Sequence, residues 1–230
     1  MTYSLGRAEP SWSDMSEHVA HLVRRRDSCT PYNNIIEILA SSAIRATGPF
    51  GAARHLSPEV LTVSFTETPL HNLRRLFERR VGTAEADWHG LGFSKDFVAQ
   101  RGGGPVLYVY EGAPQYGAVN KLTERASHDA DDPFRQVAPF IELVHRKNRF
   151  EWEREWRIIG DFAWEVDEPS FVIMPEQFHA AAWDFFREAE AENTGPRYLC
   201  PYIDATWERP KILSALRGKH TRFDRNPYNE

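Results

Sequence analysis

Cysteine is almost absent from this 230-residue chain: Cys29 and Cys200 are the only two. Two isolated thiols make neither a disulfide framework nor a zinc motif. They fit a reducing, cytoplasmic setting. Long hydrophobic runs are also missing, and nothing approaches the roughly 20 apolar residues of a membrane span. Met1 to Pro10 lacks the basic-then-apolar pattern of a secretory signal. There are no internal repeats and no low-complexity tract. There is no basic excess either: 33 acidic residues face 28 Lys and Arg, for a net charge of −5. Nucleic-acid modules usually show the opposite balance, so a general polyanion binder is excluded and only local basic patches remain. No Gly-x-Ser-x-Gly elbow occurs, and neither cysteine lies in a nucleophile motif. Gly102-Gly103-Gly104 precedes a strand rather than a helix, so it is a connector and not a phosphate cradle.

Aromatic residues are abundant, with 7 Trp, 8 Tyr and 14 Phe. Disordered chains are poor in aromatics, so most of the length folds around a sizeable core. The length predicts a single domain over 1–230. Within it, 1–15 reads as a loose arm and 111–133 as a polar insertion or lid. Residues 211–230 read as a basic tail, carrying Lys211, Arg217, Lys219, His220, Arg222 and Arg225.

Hydrophobic periodicity predicts strands at 18–25, 61–65, 89–93, 106–110, 150–159, 171–174 and 198–203. It predicts helices at 35–43, capped by Asn33 or Asn34, and at 70–80, capped by Thr68. Further helices are expected at 94–99, 134–144 and 177–192. Strict strand–helix alternation fails in the second half. The expected class is therefore α+β, a compact domain with a mixed central sheet and flanking helices.

The strongest chemical signal is Glu151-Trp-Glu-Arg-Glu-Trp-Arg157. On a strand, Glu151, Glu153, Glu155 and Arg157 would share one face. Like charges side by side repel, so that face needs solvent or cations. A carboxylate held there could serve as a general base or ligand anchor. Charge runs more often coat a solvated face with Glu–Arg pairs. His21 sits in an apolar strand, where a satisfied core or edge residue is the plainer reading. His18 with His21 makes an incomplete zinc pattern. His128-Asp-Ala-Asp-Asp132 lacks the Gly and terminal Glu of a calcium loop. No metal is expected. Ser64-Phe-Thr-Glu67 closes a strand at a proline turn, a common place for function and also for helix capping. Arg24, Arg25, Arg45 and Arg54 offer a local basic patch.

Taken in order, His21-Leu, Asn34-Ile-Ile-Glu-Ile-Leu39, Ile44-Arg-Ala, Val63-Ser-Phe-Thr-Glu-Thr-Pro-Leu70, Gly90-Leu-Gly-Phe-Ser-Lys95, Gly104-Pro-Val-Leu-Tyr108 and Glu153-Arg-Glu-Trp-Arg157 form a pattern. Over about residues 18–175 it resembles AbiGi-like abortive phage-resistance proteins. More distantly, the layout is similar to ADP-ribosyltransferases of the DNA-modifying toxin kind. That resemblance implies an ADP-ribosyltransferase-like fold and NAD as substrate. It gives His21, with Arg45, to the NAD ribose, Ser64 or Phe65 to the nicotinamide, and Glu155 or Glu153 to catalysis. Arg24, Arg54 and Glu67 would then meet the acceptor, a nucleic acid or a protein. A non-enzymatic antitoxin or sensor partner of an abortive-infection toxin is the alternative. A metal-dependent nuclease using Glu67, Glu153 and Glu155 is the weaker one.

Overall fold

The computed structural model describes residues 16–26, 29–56, 58–145, 151–218 and 226–228. The expected N-terminal arm, and the tail residues Lys219, His220, Arg222 and Arg225, lie outside the described residues. In chain order the elements are β1 (His18–Val23), α1 (Pro31–Ser41), β2 (Ala43–Ile44), β3 (Thr62–Thr66), α2 (Leu73–Arg80), β4 (His89–Ser94), α3 (Lys95–Gln100), β5 (Gly104–Pro105) and β6 (Leu107–Tyr110). There follow α4 (Pro114–Ser127), β7 (Ile141–Val144), β8 (Glu155–Ile159), β9 (Phe162–Ala163), β10 (Phe171–Ile173), α5 (His179–Ala191), β11 (Tyr202–Ile203) and α6 (Arg209–Arg217). The fold is α+β, with mixed pairing in the sheet and flanking helices. Among the described residues no helix is long and apolar enough to cross a membrane.

The chain divides into two units. One holds Ile44–Glu67 and Val98–Phe162, and the other includes Thr68–Phe97, the chain from Ala163 on, and β1 and α1. In the latter, the strands run β11-β10-β4-β1, with β10 and β11 parallel and the rest antiparallel. Strand alternation sorts β1 into two faces. Ala20 and Leu22 join Phe171, Ile173, Leu73, Phe77 and Ile212, so α2 and α6 cover that face. His21, with Val19 and Val23, faces the other way, paired in register with Leu91 of β4. Gly92 in β4 is required by packing: a Cβ there would meet the Phe171 ring at 2.1 Å.

Helix α1 starts one turn earlier than its sequence suggests. Thr30 Oγ1, not Asn33 or Asn34, accepts from the backbone N–H of Asn33, and Pro31 takes the first helical position. A proline there has no N–H to waste. Asn34 is instead turned inward, donating to the Arg24 carbonyl at 2.8 Å. The helix expected from Leu70 opens as a single 3-10 turn, Leu70–Asn72, and becomes α-helical only at Leu73. Pro69 stands at the N-cap of the turn and Asn72 at that of the α-helix, neither with a side-chain cap, so Thr68 does not hold the expected cap position.

In the other unit the strands run β3-β8-β5, all antiparallel, beside a separate parallel pair β6-β7. Parallel neighbours need a crossover connection, and α4 supplies it. Residues 111–133, expected as a polar insertion or lid, hold this helix. Its buried Val119, Thr123 and Ala126 face a cluster with Ala52, Val109 and Ile141. The helix expected at 134–144 is not there. Pro133 opens one short 3-10 turn and Pro139 is the second residue of the next, and Ile141–Val144 then extends as β7. Proline's missing N–H and fixed φ favour such short turns over a continuous helix.

His89 on β4 is fully buried, with its ring near Tyr32 and Phe178. Burial lowers its pKa from 6.5 to about 4. The unfolded chain therefore binds this proton from pH 6.5 down, while the folded chain refuses it until about 4. The contribution is whole above pH 6.5 and is lost as pH falls toward 4. From these values the loss at pH 5 is about 2 kcal/mol. Urea unfolding at pH 7 and pH 5 checks this, with His89→Leu expected to show a correspondingly smaller drop.

Candidate functional site

β8 reads Glu155-Trp-Arg-Ile-Ile, and its alternation separates two chemistries. Its register with β3 pairs Thr66 with Glu155, Phe65 with Trp156 and Ser64 with Arg157. Cross-strand partners share a face. One face therefore carries Ser64, Thr66, Glu155 and Arg157, and the other carries Val63, Phe65, Trp156 and Ile158.

The expected run of three same-face carboxylates does not form. Glu151–Glu153 is a 3-10 turn, and Arg154 follows in the left-handed region at φ 48°. Only Glu155 enters the strand. The turn removes two carboxylates from a face where they would repel the third. Glu153 is buried, and its backbone carbonyl accepts from Thr66 Oγ1 at 2.6 Å.

Arg157 is the centre of the arrangement. Its side chain is 1% exposed. Nε donates to Glu155 Oε1 at 2.9 Å, and Nη2 to Glu155 Oε2 at 2.7 Å. Nη2 also reaches Glu142 Oε2 at 2.6 Å, and Nη1 the Pro139 carbonyl at 2.7 Å. The guanidinium lies 5.3 Å from the Phe50 ring centroid. Burial works against its charge, and the bonds to Glu155 and Glu142 outweigh that, so its pKa is raised. Such charge-assisted, bidentate pairs are the strong ones, and they fix orientation. The Glu155 side chain is 17% exposed, so it is held by Arg157 without being fully enclosed. Each oxygen keeps acceptor capacity beyond its bond to Arg157.

Tyr108 stands beside this carboxylate. Its hydroxyl accepts from the Glu155 backbone N–H at 3.3 Å. Burial, together with the charges of Glu155 and Glu153, pushes the phenol up to about 12, so it stays protonated. Glu67, the next residue after β3, accepts from Trp156 Nε1 at 2.8 Å.

The residues singled out in the sequence thus separate. Ser64 shares the face of Glu155. Phe65 is 2% exposed on the opposite face, edge-on to Phe162, and has no surface left for a ligand ring. Arg54 approaches the free side of Glu142 at 3.7 Å. Arg45 is exposed and paired with Asp161 at 2.6 Å. His21 and Arg24 belong to the other unit. Among the described residues no three His, Cys, Asp or Glu side chains form a group that could hold a metal ion. The Cys200 thiol is pushed up to about 12 by burial, far from nucleophilic. Asp132 is taken by Arg125 and caps Phe134, so it is a structural residue.

Glu142 and Tyr108 are not legible in the sequence as site residues. The available signal was Arg157 itself, a cation inside the apolar run Trp-Arg-Ile-Ile. Such a residue demands buried partners, and the sequence does not say which. Comparison with protein-family models, curated proteins and solved structures found no match for this chain.

Proposed function

We propose that this chain is an ADP-ribosyltransferase-like enzyme that cleaves NAD and transfers ADP-ribose to an acceptor in phage defence. The observation that supports it is the Glu155 carboxylate, held at both oxygens by a buried guanidinium on a side chain that is itself 17% exposed. Breaking the nicotinamide–ribose bond builds positive charge on the ribose. A fixed, ionised carboxylate aimed at that position stabilises the charge without reorganising. Arg157 is shared by Glu155 and Glu142, and Arg54 stands 3.7 Å from the other oxygen of Glu142. In this reading Glu155 is the catalytic carboxylate and Ser64 lies on its face. Arg157 is the positioning residue. Glu153, on the turn before the strand, takes a supporting place.

The same clamp favours a second reading. Glu155 has a complete structural occupation as a partner of Arg157, which suits a non-enzymatic antitoxin or sensor. Two variants separate the readings. Glu155→Gln and Glu142→Gln each remove one carboxylate from Arg157, and similar stability losses are expected. Only Glu155→Gln is expected to lower nicotinamide release, by about 100-fold or more, the scale of removing one preorganised electrostatic group. Mass spectrometry of the products, with melting curves for both proteins, reads the difference. Equal turnover in the two variants, or none in the wild type, sinks the enzyme reading.

A further inference from the structure

Helix α6 presents two different faces. Ile212 is buried against the cluster of Leu73, Phe77 and Phe171, so the helix is anchored. On its outer side, Arg209, Pro210, Leu213, Ser214 and Arg217 line an open groove of about 370 Å³. Arg209, Leu213 and Arg217 recur every fourth residue, along one stripe. Eight residues of helix put the two arginine Cα atoms about 12 Å apart along the axis. Neighbouring Lys211 is already engaged, with Nζ 2.9 Å from Glu176 Oε1. Among the described residues neither Arg209 nor Arg217 makes an ion pair. No described carboxylate pairs with either charge, in a protein whose net charge is −5. Leu213 is 38% exposed between them.

We infer that this groove docks single-stranded nucleic acid, with Arg209 and Arg217 on backbone phosphates. The guanidinium fork matches a phosphate, and Ser214 offers a hydroxyl donor between the two. Leu213 and Pro210 give unstacked bases or sugars an apolar floor that a duplex does not use. A peptide of carboxylates alone would satisfy the arginines and leave that floor idle. The excess negative charge elsewhere keeps the binding local and salt-sensitive. The inference does not rest on NAD chemistry, because binding is read without turnover.

The test is fluorescence anisotropy of a fluorescein-labelled oligothymidylate titrated with the full chain at about 50 mM and about 200 mM salt. Wild type is expected to bind and to weaken with salt. For two phosphates on a single strand, the arginines account for about a seven-fold fall between these conditions. Arg209→Ala/Arg217→Ala is expected to lower the affinity and remove that part of the salt dependence. Both side chains are exposed, so its melting curve should match wild type. Arg187→Ala, which removes an arginine paired with Asp184, should change nothing. The inference is overturned by no binding at the lower salt, or by a double variant with wild-type affinity and salt response. Tighter binding of labelled polyglutamate than of oligothymidylate would overturn it in favour of an acidic protein partner.

Discussion

Arg157→Ala is expected to lose about 3–5 kcal/mol of stability, the scale for breaking a buried ion pair from one side. The loss has two sources. Glu155 and Glu142 would face one another with no cation between them. The Pro139 carbonyl would lose its donor in a buried position. Most domains are stable by only 5–15 kcal/mol, so this single change consumes a large share. Arg157→Lys should recover only part, because a point charge cannot make the two parallel bonds to Glu155. The triple replacement Arg157→Met, Glu142→Gln, Glu155→Gln should recover more than Lys does. It removes the stranded charges together with the cation. Urea unfolding of the three proteins reads the order. A stability for Arg157→Ala within about 0.5 kcal/mol of wild type, the range of ordinary surface changes, would contradict the account of the clamp.

Gly51→Ala comes second in size. Gly51 takes φ 56°, in the left-handed region, where a Cβ costs roughly 1–2 kcal/mol. Its ideal Cβ would also stand 2.0 Å from the Ile141 carbonyl oxygen and 2.8 Å from Arg157 Nη1. Backbone at one side and a guanidinium fixed by four bonds at the other leave little room to yield. Overpacking of this kind adds about 1–3 kcal/mol, so a total loss of about 2–5 kcal/mol is expected. The midpoint of a urea transition measures it. Gly48→Ala is the comparison: it also has positive φ, at 35°, and a Cβ there would meet nothing within 4 Å. It should lose only the conformational part. Equal losses at the two positions would mean that the close approach to Arg157 is not tight.

Legibility in the sequence followed the range of the forces involved. The first strand, α5 and the strand at 171–173 were readable because their patterns are local. Apolar spacing alone separates β1 from α5. The helix expected at 134–144 follows from apolar content alone. Pro133 and Pro139 already divided the segment into turns, and the pairing that makes Ile141–Val144 a strand comes from β6, more than thirty residues earlier. The run 151–157 was half right. Its alternation holds from Glu155 on, where Ser64 and Thr66 provide the register. It fails before that, because Arg154 adopts a left-handed conformation that nothing in the residue type announces. The site divides in the same way. Glu155 and Arg157 were visible as a charged pair at spacing two. Glu142 and Gly51 enter only through tertiary packing. Phe65 is assigned to the nicotinamide by resemblance alone, and the register turns it inward instead.

Whether Glu155 faces a bound NAD is read from the melting temperature of the wild-type chain across an NAD series from micromolar to millimolar. A ligand that binds only the folded state raises stability with concentration. The expected result is a rising curve that survives Glu142→Gln once each protein is compared with its own ligand-free value, and that changes shape in Glu155→Gln. A flat curve over the whole range, from protein shown to be folded by circular dichroism, would contradict it.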